Sequence, residues 1–194
     1  MFADSFSDKQ SDLKMKIVAL DFETADYYAD SACALALVSI VDGRIKQKRT
    51  YYIRPPRKSF LFTDIHGISW DDVRDQPTFA DLTGEIEQLV SGAEYLAAHN
   101  APFDRKVFLT CYAASGITHP EIPFICTVRL ARAAWDIHPT RLPNVCAYLG
   151  IELKHHDPAS DALACAQITI EAMKRGTALE DSKLGPPTYS VTLN

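Results

Sequence analysis

The chain has 194 residues, 47% of them hydrophobic, and a formal net charge of −5. That length suits one globular domain with a sizeable core, and a mildly acidic balance argues against bulk electrostatic binding of nucleic acid while leaving room for a nucleic-acid substrate gripped locally. No stretch approaches the length of a membrane-spanning helix, and Cys33, Cys111, Cys126, Cys146 and Cys165 are odd in number and without a C-x-x-C pair, which reads as buried reduced thiols of a cytoplasmic protein rather than a disulfide framework or a zinc site.

Residues 1–14 are polar and mixed in charge, with no apolar segment for a signal peptide, and read as a flexible leader. Lys16 to Glu23 is the first strand, and its nearly unbroken apolar run implies a central position covered on both faces. Strand side chains alternate, so Ile17, Ala19, Asp21 and Glu23 share one face and Val18, Leu20 and Phe22 the other. Two carboxylates therefore lie side by side at the end of a buried strand. Burying one unpaired charge costs several kcal/mol, roughly, and two like charges cost more. A divalent metal ion is the simplest group that compensates both, so Asp21 and Glu23 are candidate metal ligands.

After a polar, tyrosine-bearing loop from Thr24 to Ser31, Ala32 to Val41 is apolar again and Asp42-Gly43 supplies a tight turn. Arg44 to Ile53 returns with Ile45, Tyr51 and Ile53 on one side and Lys46, Lys48 and Tyr52 on the other, the lysines suiting an edge strand. The chain thus opens with a three-stranded antiparallel meander, which Pro55-Pro56 ends. The loop from Arg57 to Asp75 carries Phe60, Phe62, Ile65-His66-Gly67-Ile68 and Trp70, either as a lid packed on the core or as a surface for stacking.

Thr78 to Val90 is predicted helical from Phe79, Leu82, Ile86 and Leu89. A short strand from Tyr95 to Ala98 runs into a helix with Asn100 as N-cap and Pro102 in the first turn, continuing past Val107, Phe108 and Cys111 towards Gly116. A short strand at Phe124 to Cys126 and helices at Val128 to Ala134 and Asn144 to Tyr148 follow. The last long helix is capped by Asp157, has Pro158 in its first position and runs to about Lys174. The expected division is a leader at 1–14, one catalytic domain at 15–176 and a tail at 177–194. A meander followed by alternating helices and short strands implies a mixed α/β sheet.

Two helix starts repeat one pattern. In Asn100-Ala101-Pro102-Phe103-Asp104 and in Asp157-Pro158-Ala159-Ser160-Asp161 a capping residue precedes an aspartate by four. Each aspartate sits one turn into its helix, where the macrodipole favours the ionised carboxylate. Either one alone is ordinary, but together they bring two carboxylates towards Asp21 and Glu23. Four carboxylates without thiolates select a hard ion such as Mg2+ or Mn2+. His156, five residues before Asp161, lies at the mouth of the last helix, and imidazole suits proton transfer near neutral pH. His155 is its rival, and spacing does not decide between them.

Asp21-Phe22-Glu23-Thr24, then His99-Asn100-Ala101-Pro102-Phe103-Asp104, then His156-Asp157-Pro158-Ala159-Ser160-Asp161 resemble, in order, the three motifs of the DEDDh 3′–5′ exonucleases, the family similar to the proofreading epsilon subunit of DNA polymerase III and to ribonuclease T. The resemblance spans about residues 16–175. One departure is Pro158, which stands where the family's third motif has alanine. The resemblance implies a ribonuclease H-like fold, a mixed five-stranded sheet flanked by helices. It implies two divalent ions, Mg2+ or Mn2+, held by Asp21, Glu23, Asp104 and Asp161, with His156 rather than His155 as general base. It implies contacts to the 3′-terminal nucleotide from Phe22, Thr24, Ile65, His66, Asn100 and Phe103. The implied substrate is a single-stranded or frayed nucleic-acid 3′ end, DNA rather than RNA, released as nucleoside 5′-monophosphates. A proofreading-type subunit of a polymerase assembly and an RNA-trimming exoribonuclease are the alternatives, and a polymerase or a second copy of the chain are the candidate partners, with no membrane. The stretch Arg44, Lys46, Lys48, Arg49, Arg54, Arg57 and Lys58 is either a solvated edge or a phosphate track.

Overall fold

The computed structural model describes residues 15–187, so the leader at 1–14 and residues 188–194 lie outside it. Five strands form one sheet in the order β3-β2-β1-β4-β5. β1 (Lys16–Thr24), β2 (Ala32–Val41) and β3 (Arg44–Tyr52) make the antiparallel meander, and β4 (Tyr95–Ala98) and β5 (Phe124–Cys126) run parallel to β1 on its other side. The turn between β2 and β3 places both Asp42 and Gly43 at positive φ, which suits the twist of a two-residue hairpin.

β1 is central, and the alternation read along it sorts the two cores. Val18, Leu20 and Phe22 pack beneath α3 (Phe79–Val90) and α4 (Ala101–Ala114), against Phe79, Ile86, Val107 and Phe108. Ile17 and Ala19 face α7 (Pro158–Lys174), against Ala162, Cys165 and Ala166. The small residues on this face of α7 let it lie close to the sheet. Asp21 and Glu23 continue the α7 side, and Asp161 enters from the first turn of α7 above them. A smaller cluster around Ala131, Leu142 and Val145 joins α5 (Thr127–Trp135) and α6 (Leu142–Leu149) to α7. All five cysteines are buried free thiols.

Some local expectations change. A β-bulge near Lys46 shifts the β2–β3 register, with Ser39 opposite Gln47 but Ile40 opposite Ile45. Ile45 therefore packs on the α7 side and Tyr51 on the α3 side, not on one face together. Two short helices, α1 (Thr63–His66) and α2 (Trp70–Val73), interrupt the loop between Arg57 and Asp75, the second closed by a reciprocal Ser69–Asp72 capping box. Asn100 does not cap α4 through its side chain. It adopts the left-handed conformation, φ 67°, which asparagine tolerates better than most residues. Residues 177–187, expected as a tail, lie on the sheet edge: Lys183 bridges Ile125, the Leu184 N–H donates to the Phe124 carbonyl, and Leu179 and Leu184 are buried.

Candidate active site

The site lies at the carboxyl end of β1, beside the carboxyl end of the parallel strand β4, which delivers its chain towards the start of α4. β1 brings Asp21 and Glu23. β4 leads through His99 and Asn100 into α4, whose first turn brings Asp104. A bulge where Glu23 pairs with Ala34 but Thr24 with Ala32 ends the ladder at this point. α7 brings Asp161. Three distant segments thus place four carboxylates together.

Their environment is costly for negative charge. Burial, together with repulsion from Asp104, Asp161 and Glu23, holds the Asp21 carboxyl well above the usual range. Burial pushes Glu23 up to about 7, with Asp161 and Asp157 adding to it. Burial raises Asp104 to about 8 although the Phe22 N–H donates to its Oδ1 at 3.1 Å. Asp161 is raised by burial against opposing hydrogen bonds: its Oδ2 accepts from the His156 N–H at 3.2 Å and lies 3.0 Å from His155 Nδ1. Its Oδ1 is buried without a partner. Among the described residues no lysine or arginine forms an ion pair with any of the four. An orphaned buried oxygen in an all-oxygen donor set of like charges is what a hard divalent cation fits. His155 and His156 could add imidazole donors beside the Asp161 carboxylate, the ligand atoms of the three lying within 4.8 Å of one another.

The doubled histidine is shaped by local backbone chemistry. Asp157 caps α7, its Oδ1 accepting the Ser160 N–H at 3.1 Å, and its Oδ2 pairs with Lys154 Nζ. Ahead of that cap His156 takes the left-handed conformation, φ 67°, which costs of order 1–3 kcal/mol for such a residue. That turn aims its N–H at Asp161 and stacks the two imidazoles, with centroids 3.8 Å apart. The His155 ring is committed to Asp161, whereas the His156 ring makes no hydrogen bond among the described residues.

A cleft of about 740 Å3 opens over the cluster, lined in part by Asp21, Glu23, Asn100, Phe103, His156 and Asp161. Phe103 is 45% exposed there. The other expected nucleotide contacts divide differently. Phe22 is only 2% exposed, and its ring packs against Phe79 on the opposite face of the sheet, because strand alternation turns it away from Asp21 and Glu23. Thr24, Ile65 and His66 lie beyond the lining. Both His66 nitrogens are engaged, Nε2 donating to the Thr24 carbonyl at 3.2 Å and Nδ1 accepting the Ile68 N–H at 3.1 Å, so this ring fixes α1 against the end of β1. Ile65 stands half exposed beside it.

The structure adds His99, unassigned from the sequence. Burial lowers it to about 4, so it is neutral at ordinary pH. Its Nε2–H donates to the Thr140 carbonyl at 3.0 Å and its Nδ1 accepts from the Thr127 hydroxyl at 2.9 Å, tying the end of β4 to the start of α5 and to the loop before α6. No local signal in the sequence pairs residues 28 and 41 positions apart. None of the basic residues from Arg44 to Lys58 lines the cleft. Arg44 opposes Val41, which opposes Lys16, at the end of the sheet away from Glu23, and Arg57 is engaged by Asp26 and Asp30.

A family profile described as exonuclease, of the ribonuclease T type, matches residues 18–169. Exodeoxyribonuclease 10 of Escherichia coli K12 is 32% identical over 150 residues, covering 72% of this chain and 60% of that protein. A PolC-type DNA polymerase III of Oceanobacillus iheyensis is 30% identical over 163 residues, 81% of this chain but 11% of the polymerase. The chain therefore spans between a tenth and three fifths of these relatives. A solved structure described as exonuclease X in complex with 5′-overhanging duplex DNA superposes with a TM-score of 0.69 at 25% identity, covering 87% of this chain and 96% of that one.

Proposed function

We propose a function from a fixed premise: this chain belongs to the exonuclease family. It hydrolyses the terminal phosphodiester at the 3′ end of a DNA strand, releasing a nucleoside 5′-monophosphate and leaving a strand one nucleotide shorter, and residues 15–176 are the catalytic domain. The observation that carries this reading is the cluster of buried Asp104 and Asp161 with half-buried Asp21 and Glu23, mutually repelling and, among the described residues, without a lysine or arginine ion pair. Such a cluster lowers stability unless it holds divalent cations, and the four carboxylates are the groups that hold them, two Mg2+ or Mn2+ ions. When bound, the cations polarise the scissile phosphodiester and favour deprotonation of an attacking water.

The remaining chemistry belongs to this chain's own side chains. His156 takes the proton of the attacking water. The water oxygen bonds to phosphorus, the P–O3′ bond breaks, and the 3′ oxygen leaves with the electron pair and gains a proton from solvent. What supports His156 over His155 is that the His155 ring is spent on Asp161 while the His156 ring is free. Phe103 offers a face on which the terminal base stacks, Asn100 borders the same space, and Ile65 adds apolar surface at the rim. Thr24 and His66 serve by holding that rim to β1. The name of the Escherichia coli relative favours DNA over RNA.

A second reading is favoured by the PolC-type relative, that such a domain works within a polymerase assembly as a proofreading part. Assays with and without a polymerase separate the readings from each other. A 3′-mismatched primer–template degraded only when a polymerase is present supports the second; mononucleotide release by the chain alone, identified by mass as nucleoside 5′-monophosphate, supports the first. Internal cleavage products would sink both.

A further inference from the structure

Part of the cleft remains unassigned once the carboxylates and histidines have roles. Its wall carries Arg132, in the last turn of α5, and Arg141, at the start of α6. Both side chains belong to exposed residues, and among the described residues neither has a carboxylate partner. That contrasts with Arg57, held by Asp26 and Asp30, and Arg74, held by Asp71 and Asp75. Arg132 is also positioned. Its Nε–H donates to the Thr140 hydroxyl at 2.9 Å, and the Thr140 carbonyl receives the His99 Nε2–H. One edge of the guanidinium is thus anchored by Thr140, which His99 holds in turn, and the other edge is free for a planar oxyanion.

We propose that Arg132 and Arg141 form a second subsite that binds internucleotide phosphates of the strand on the 5′ side of the scissile bond. The inference rests on the proposed function and extends it. A 3′-terminal nucleotide ends in a hydroxyl and shares a single phosphate with its neighbour, the scissile one, which must lie at the carboxylates. Any further phosphate met by cations in the same cleft therefore belongs to the upstream strand. The subsite also answers an electrostatic problem, since a polyanion approaching four clustered carboxylates in a chain of net charge −5 needs local positive charge to enter.

The test is equilibrium binding of a short 5′-fluorescein single-stranded DNA, read by anisotropy in Ca2+ at several salt concentrations. Each phosphate contact on a single strand contributes about 0.7 to the slope of log affinity against log salt. Arg132→Ala and Arg141→Ala are each expected to flatten the slope by about 0.7, so between about 50 and 200 mM salt each variant loses about 2.5-fold less affinity than the parent. Arg141→Lys should restore the slope, and Lys48→Ala, on β3, should leave it unchanged. Parental slopes in both alanine variants, or an equal flattening by Lys48→Ala, overturn the subsite. Hydrolysis of the p-nitrophenyl ester of thymidine 5′-monophosphate, which has no upstream phosphate, reports separately on the proposed chemistry. Ester hydrolysis with parental slopes removes the subsite and leaves the exonuclease reading standing.

Discussion

Replacing Glu23 by glutamine should make the metal-free protein more stable, not less. The glutamate is half-buried among like charges, and its carboxyl is pushed from an ordinary 4.5 up to about 7. As pH rises from about 4.5 the unfolded chain gives up this proton first, so stability falls until the folded carboxyl ionises near 7, and the loss is complete above that. At about 1.4 kcal/mol per pKa unit, the penalty at pH 8 is about 3 kcal/mol. Glutamine keeps the shape and removes the charge. In EDTA at pH 8, Glu23→Gln should therefore melt about 6–12 °C higher than the parent, with the gap closing towards pH 4. Adding Mg2+ should raise the parent more than the variant, since the parent alone keeps all four carboxylates. Thermal melts across pH 4–9, with EDTA or Mg2+, measure this. An unaltered or lower melting temperature in EDTA at pH 8, or a gain that does not vary with pH, refutes the account of an uncompensated buried cluster.

Other perturbations separate chemistry from scaffold. His156→Ala should cut kcat by about 10²–10⁴-fold while leaving the melting shift on adding Mg2+ intact; full turnover would remove its role as base. Phe103→Ala should weaken oligonucleotide binding by about 1–3 kcal/mol with little change in melting temperature. Phe22→Ala should do the reverse, costing about 3–5 kcal/mol of stability through a core cavity while the KM of surviving enzyme stays close to the parent; a selective KM effect would show that its ring reaches substrate after all.

The carboxylate spacing was legible because each half of the site obeys a local period. Asp21 and Glu23 share a strand face by alternation, and Asp104 and Asp161 each follow the N-cap position of a helix by one helical turn, although only Asp157 caps through its side chain. Phe22 stands inside the same motif, yet the same alternation sends its ring into the α3–α4 core. The β3 bulge was not legible, because one extra residue inverts the faces beyond it without any mark in composition. Nor were α1 and α2, each four residues long and too short for a hydrophobic period. His99 and Arg132 escaped for a different reason. Their meaning depends on Thr127 and Thr140, which only the tertiary fold brings to them.

The central claim is that Asp21, Glu23, Asp104 and Asp161 form a divalent-cation centre for stepwise cleavage from a 3′ end. A 5′-labelled single-stranded DNA, incubated with the parent chain and with Asp161→Asn, tests it most directly. The account predicts a ladder that shortens one nucleotide at a time from the 3′ end with Mg2+ or Mn2+, no cleavage in EDTA, recovery when the metal is restored in excess, and no ladder from Asp161→Asn. A ladder that persists in EDTA or in the variant would contradict it.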